Sequence, residues 1–355
     1  MNDLLIIGGG LAGTVLADKA AARGIPVTLV NDPSAPSASA AAYGMLNPVH
    51  IRNAVLSWNA SLFYPVAKEY FLGASARMGM EIARKTEILH LLSGEDEAVL
   101  WRQNTESGPL FGYTNGVAER IPGGILRPSP AGAVRITESL FVDIPSFVKA
   151  VAAHLQQVSL PENFDHGQLH YTGQCWNYRG KEYSGVVFCE GIRALQNPYF
   201  GELPFRPCKG DVLTVKIPGA PVDAVVHRKI FLIPLGGEMY RAGSTYDWED
   251  ISFMPSAAGK QEIMAHLDEL LDVPYEVTGQ RAGVRPAMAD RKPVVGSHPF
   301  HCGLFIFNGL GSRGLIQAPF FADQLLDHIT ESKPVLAAAD VQRFRKRLSP
   351  ERNKS

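Results

Sequence analysis

The chain has 355 residues, with 34 Lys and Arg against 35 Asp and Glu, a formal net charge of −1. Apolar residues make up 46% and charged residues 19%, which excludes a largely disordered chain, since disorder needs low hydrophobicity with high net charge. At roughly 150 residues per domain the length implies about two domains. The near-neutral balance weighs against whole-molecule attraction to nucleic acid or an anionic membrane, leaving a globular chain of the kind typical of enzymes.

Residues 4–7 (LLII) form a fully apolar run that stops at glycines, the pattern of a buried parallel strand entering a tight turn. From Ala12 to Arg23 the residues are small and helix-tolerant, with Gly24 placed to end a helix. Val27 to Val30 is the next apolar run, so the segment reads as a βαβ unit. The low-complexity stretch 33–42 (PSAPSASAAA) predicts a flexible loop. Residues 57–92 carry helical apolar spacing, and Asp143 to Leu155 predicts an amphipathic helix with Pro145 near its first turn. Gly185 to Phe188 reads as a strand, and Val212 to Asp247 as short strands separated by Pro-Gly and Gly-Gly turns. A helix is predicted over 260–272, then a strand at Leu304 to Phe307, a second glycine-rich turn, and a helix from Ile316 to Ile329.

Nucleotide-fold features at 4–50, 143–191 and 304–329 are interrupted by different material, which predicts two discontinuous domains. One comprises 1–80, 138–200 and 285–335, the other 81–137 and 201–284, with 336–355 as a basic C-terminal tail. The four cysteines, Cys175, Cys189, Cys208 and Cys302, have no CxxC spacing, so neither a disulfide framework nor a metal site is expected. The start MNDLLII has no basic stretch before its apolar run and does not read as a secretory signal. The apolar stretch from Leu4 to Ala17 is shorter than the roughly 18 residues a membrane span needs. The expected setting is cytoplasmic and soluble, without membrane insertion.

Gly8-Gly9-Gly10-Leu11-Ala12-Gly13 fits GxGxxG, with Gly8, Gly10 and Gly13 as its glycines. One glycine makes the turn, one lets backbone approach a pyrophosphate, and one lets helix and strand pack closely; the helix N-terminus then faces the phosphate charge. The flanking strands and helix make the match strong. An acid is expected about 20 residues on to accept from the ribose hydroxyls, but the strand ends Val30-Asn31-Asp32. Asn31 is the favoured ribose contact; Asp32 is the alternative, unless it only opens the turn with Pro33. The motif alone leaves NAD, NADP and FAD open.

Further along come Gly44-Met45-Leu46-Asn47-Pro48, VVFCEG at 186–191, PCKGDV at 207–212, GSTYD at 243–247, GVRPAMADRKPVVG at 283–296 and NGLGSRGLIQAP at 308–319. In this order and spacing the chain resembles the FAD-dependent D-amino-acid oxidase superfamily, the group holding glycine and sarcosine oxidases and D-amino-acid dehydrogenases. GLGSRGL and GSTYD look closest to the oxidase half of the bifunctional enzyme that trims carboxymethylaminomethyl-uridine in tRNA; no counterpart of its methyltransferase half is recognised. The resemblance implies an α/β fold: a Rossmann-like FAD-binding domain and an interleaved α+β substrate domain with a mostly antiparallel sheet. It implies FAD held by Gly8, Gly10, Leu11, Ala12, Gly13, Asn31 or Asp32, Gly44, Met45, Leu46, Gly191, Arg285, Gly309, Gly311, Ser312, Arg313, Gly314 and Leu315. No cysteine lies between Arg285 and Asp290, so the FAD is expected to be non-covalent.

Amine oxidation on a flavin delivers a hydride from the α-carbon to N5 and needs neither nucleophile nor metal, so positioning is the main demand. A carboxylate substrate calls for a bidentate arginine. Arg285 matches the arginine that binds the substrate carboxylate in the glycine-oxidase branch; the competing reading is an ion pair with Asp290. Arg313 is a second candidate, for substrate or flavin pyrimidine. Phe231 stands where the family often has a tyrosine, which favours a more apolar substrate. Arg241 is a candidate cation near the flavin, His50 a candidate active-site group, and Lys209 is assigned to the loop between domains. The leading expectation is dehydrogenation of a small amine or amino acid to an imine, with the electron acceptor left open. The alternatives are a stand-alone tRNA wobble-uridine oxidase, for which Arg343, Arg345, Lys346, Arg347, Arg352 and Lys354 would meet phosphate, a flavin-binding module without amine oxidation, and a nicotinamide dehydrogenase. The last does not explain the C-terminal glycine-rich element.

Overall fold

A computed structural model describes residues 3–42, 44–106, 108–118, 124–155, 158–219 and 224–349. The chain divides into two compact units, each assembled from separate stretches: Met1–Ala40, Ile144–Cys208 and Val284–Ser355 form the first, and Ala41–Asp143 and Lys209–Gly283 the second.

In the first unit a sheet runs in the order Val294–Ser297, Leu304–Asn308, Gly185–Phe188, Leu4–Ile7, Val27–Val30 and Ser159–Leu160. Leu4–Ile7 lies at its centre, parallel to both neighbours. All four residues of that strand are buried because the sheet is covered on both faces, as the unbroken apolar run predicts. Leu5 and Ile7 join an aromatic-rich cluster with Trp176, Tyr178, Phe188 and Phe200. The helix Leu11–Ala22 packs against Ile144–His154 and Gly314–Glu331. Lys19 bonds Asp323 at 2.7 Å, and Arg23 reaches both Asp323 and Asp327, tying the first helix to the last.

In the second unit the strands Glu276–Arg285, Cys208–Lys216, Met239–Gly243, Phe231–Gly236, Val225–His227, Ala83–Leu91, Ala133–Val142 and Met45–Leu46 follow one another in a mixed, mostly antiparallel sheet. Leu213, Val215, Leu232, Tyr240 and Ala242 pack under the helix Ala257–Leu270 through Ile263, Leu267 and Leu270. Residues of the opposite parity, among them Ile88, Ile136, Val225 and Ile233, form a second cluster with Trp101 and Val49.

Several expectations are corrected. Residues 41–80 pack with the second unit, since Val142 N donates to Gly44 O at 2.7 Å, Met45 pairs with Phe141, and Lys68 bonds Glu138. The helical reading of 57–92 holds for Ala60–Met78 only. Gly79 ends that helix at φ +62°, and Ala83–Leu91 is a strand paired on both sides, where β-branched Thr86 and Ile88 suit the pleat. Within 33–42 a short helix forms at Ala38–Ala41, and Ser39 Oγ accepts from Leu11 N at 2.9 Å, so this segment is tied down. The C-terminal segment is docked rather than loose: Val341 and Leu348 belong to the first unit's core. Arg352 and Lys354 lie outside the described residues. Among the described residues no helix is long and apolar enough to cross a membrane.

Candidate functional site

The glycine loop of the first unit is fixed by close contacts. Gly8 adopts φ +100°, and a Cβ there would meet the Cys189 carbonyl oxygen at 2.5 Å; one on Gly13 would fall on the Gly8 carbonyl. Gly9 N donates to Asn31 Oδ1 at 2.9 Å. The helix Leu11–Ala22 begins at Gly10, which has no side chain to cap it, and carries no acid in its first turn; Leu11 N donates to the neutral Ser39 Oγ, so no protein charge offsets the positive helix end. Asn31 thus braces the loop at the position where a ribose contact was expected. Asp32 accepts from the backbone N and the hydroxyl of Ser34, contacts that hold its carboxyl below the usual range. It opens the turn with Pro33.

The second glycine-rich turn builds a matching end. Gly309 and Gly311 have φ of +75° and +54°, and a Cβ on Gly309 would meet Met288 Cγ at 2.6 Å. Gly311, Ser312 and Arg313 form a 3-10 turn leading into the helix Gly314–Glu331, which also lacks a side-chain cap and a first-turn acid. A Cβ on Gly314 would touch Leu11 Cδ2 at 3.0 Å, so two helix N-termini without first-turn acids adjoin. Leu315 is buried behind the turn. Gly191 takes φ +58°, and its carbonyl accepts from Asn308 Nδ2 at 2.9 Å, joining two strand ends beside the glycine loop.

Arg285 ends the strand Glu276–Arg285, with Nη1 3.7 Å from Cys208 Sγ. Asp290, the competing partner in the sequence reading, accepts from Arg343 Nε at 3.0 Å, and Arg343 Nη2 donates to the carbonyls of Lys292 and Pro293.

The remaining candidates belong to the second unit. Gly44 takes φ +82°, and Met45 and Leu46 form the edge strand against Phe141 and Leu140. His50 sits in a short hairpin opposite Val55. Phe231 lies beside His227, ring centres 4.5 Å apart. Arg241 Nη1 makes a long 3.4 Å contact to Ala42 O. Burial, then the charge of Arg281, lowers the Arg241 guanidinium to about 10, with Asp143 opposing. Lys209 is buried and ion-paired with Asp250.

A family model described as FAD dependent oxidoreductase (DAO) matches residues 3–327. The chain belongs to the DAO family of FAD-dependent oxidoreductases. It is 26% identical to the tRNA 5-methylaminomethyl-2-thiouridine biosynthesis bifunctional protein MnmC of Marinobacter nauticus over 94% of this chain. It spans 56% of that relative's length. It is also 26% identical to a glycine oxidase of Pseudomonas aeruginosa, over 95% of this chain and 97% of the relative. Glycine oxidase from Geobacillus kaustophilus shares the fold, with a TM-score of 0.77 at 21% identity over 97% of this chain and 99% of the other. Iminodiacetate oxidase from Chelativorans sp. BNC1 does so with a TM-score of 0.76.

The first unit of this DAO family chain fits FAD. Gly8, Gly9 and Gly13 let the loop pack where a Cβ would clash, and two adjoining helix N-termini without first-turn acids suit an anionic group. Two features carry no signal in the sequence reading. One is Arg281, beside Arg241. The other is a buried cluster in which His90 bridges Glu97, at 3.0 Å, and His227, at 3.1 Å between their Nδ1 atoms. Neither belongs to a motif; the sheet pairing His90↔His227 creates the cluster.

Proposed function

We propose that this chain oxidises a small amine or amino acid to an imine, which water then hydrolyses. FAD, when bound, supplies the hydride acceptor at its N5. The first unit would hold it through the start of Leu11–Ala22 and the Gly309–Gly314 turn, whose amides would bind its anionic groups. Arg285 binds the substrate carboxylate through two parallel N–H donors, and Arg313 supports the same region. Phe231 presents an apolar wall, stiffened by His227, in place of a hydroxyl donor. The second unit supplies the substrate-binding sheet. The carrying observation is the pair of adjoining, acid-free helix starts in the first unit, at Leu11 and Gly314. The likeness to glycine oxidase over nearly the whole of both chains supports amine chemistry.

The test is the visible spectrum of the purified protein, followed by anaerobic mixing with glycine, sarcosine, proline and D-amino acids. A yellow protein bleached by at least one of them is expected. A yellow protein that no amine bleaches overturns the reading, and Arg285→Ala is expected to lower kcat/KM at least a hundredfold. A second reading, oxidation of a modified uridine in tRNA, is favoured by the likeness to MnmC proteins. Carboxymethylaminomethyl-uridine tRNA in the same anaerobic assay separates the two.

A further inference from the structure

The second unit's sheet has one face sealed by the helix Ala257–Leu270, and the other face carries an arrangement no motif announced. Antiparallel pairing sets Phe231 opposite Gly243, Ile233 opposite Arg241, Thr214 opposite Arg241 and Val212 opposite Gly243, so these side chains share a face. The neighbouring strand Glu276–Arg285 adds Gly279, whose Cβ would lie 3.7 Å from that of Thr214, and Arg281 two residues on. Between the two arginines the floor is therefore Val212, Thr214, Gly243 and Gly279, all small or β-branched. Phe231, Arg241, Thr214, Gly279 and Arg281 are each half-buried, in contrast to the fully buried Leu213, Leu232 and Ala242 on the opposite face.

The charge of Arg281 disfavours that of Arg241, while Asp143 acts on both guanidiniums in the opposite sense. Arg241 Nε is buried and, among the described residues, meets no hydrogen-bond acceptor. A buried donor left without an acceptor is costly, and two arginines above a floor of small side chains leave room for a planar, doubly accepting group.

We propose that Arg241 and Arg281 form an anion-binding subsite for a second acidic group of the substrate, so that this enzyme prefers amines bearing two carboxylates over those bearing one. The inference rests on the amine-oxidising reading and narrows its substrate class. The anion's oxygens accept from the guanidinium donors, Arg241 Nε among them, while Thr214 and the glycines leave space for the chain joining its two acids.

The holoenzyme provides the test in two arms. The first measures binding of malonate and acetate by perturbation of the flavin absorbance. Malonate is expected to bind at least tenfold more tightly, and Arg281→Gln and Arg241→Gln are each expected to erase that difference, with Arg281→Lys restoring part of it. The second compares kcat/KM for iminodiacetate with sarcosine, and for D-aspartate with D-alanine. The diacid-to-monoacid ratio is expected to exceed ten in one pair and to fall toward one in Arg281→Gln. Equal binding of malonate and acetate overturns the subsite, as does a variant that weakens both anions alike, which marks a merely structural arginine. Reduction of the flavin by modified tRNA but by no diacid also overturns it. If no amine reduces the flavin, the oxidation reading fails, while the malonate arm still reports on the subsite by itself.

Discussion

Asn31 shows how much one side chain can carry at the residue scale. Dinucleotide folds place an acid at this position to accept from ribose, but here the amide oxygen receives Gly9 N–H and sets the shape of the phosphate loop. Its Nδ2 keeps donor capacity, which a carboxylate lacks. Losing one such bond is worth about 1 kcal/mol, so Asn31→Ala is expected to weaken FAD binding about fivefold, read by titrating apoprotein with FAD and following flavin fluorescence. Gly13→Ala is expected to do more, because its methyl would fall on the Gly8 carbonyl. Overpacking of that kind costs about 1–3 kcal/mol, and the thermal midpoint of the apoprotein should drop by several degrees. The glycines are legible in the sequence because only the lack of a Cβ serves there. The Asn31 brace is not, since the same residue type also suits a ribose.

At the scale of elements the buried histidine cluster sets a pH dependence. Burial, with the nearby charge of His90, lowers His227 to about 3, and the His90 hydrogen bond holds Glu97 at about 2. A histidine whose folded pKa lies below its unfolded value of about 6.5 favours the neutral form in the fold. Its contribution to stability is full above about 6.5 and is lost as pH falls toward 3; for Glu97 it is full above about 4.5 and lost as pH falls toward 2. From pH 7 to pH 5 the His227 effect alone is about 2 kcal/mol. Unfolding free energies from urea titrations at the two pH values should differ by that order in the parent protein and much less in His227→Asn. The cluster is invisible in sequence because it is made by strand pairing between positions far apart in the chain. The strand Ala83–Leu91 that carries His90 reads as helix from sequence, since its apolar residues Ile88, Leu89 and Leu91 fit both periods. Buried neighbours on both sides decide the matter, and only the sheet supplies them. By contrast the first helix is plain, flanked by a glycine loop and Gly24. Its ties to the last helix through Lys19 and Arg23 are part-exposed ion pairs, worth roughly 0.2–1 kcal/mol each and weakened by salt.

For the whole molecule, the two-unit division with interleaved segments is readable from alternating motif and non-motif stretches. Where the seams fall is not, because residues 41–80 are placed by pairing of Met45 with Phe141 and by packing of Ala60–Met78 rather than by any local signal. The C-terminal basic residues show the same division between composition and context. Arg343 is committed to Asp290 and to the carbonyls of Lys292 and Pro293, and Val341 and Leu348 complete the first unit's core. Deleting residues 340–355 therefore removes core as well as charge, and is expected to lower the thermal midpoint whether or not tRNA is a substrate. Arg345, Lys346 and Arg347 are exposed, with Arg345 over the Phe300 ring at 4.8 Å, and are the residues that can meet phosphate without cost to the core. Removing one phosphate-binding cation should reduce the slope of log affinity against log salt by about 0.7–0.9. Replacing all three by Ala would therefore flatten it by about two to three if tRNA rides on this segment. With a small amine as substrate, that triple variant should leave both the thermal midpoint and kcat/KM close to those of the parent. A net charge of −1 favours this second outcome, because no wider positive field supports the three side chains.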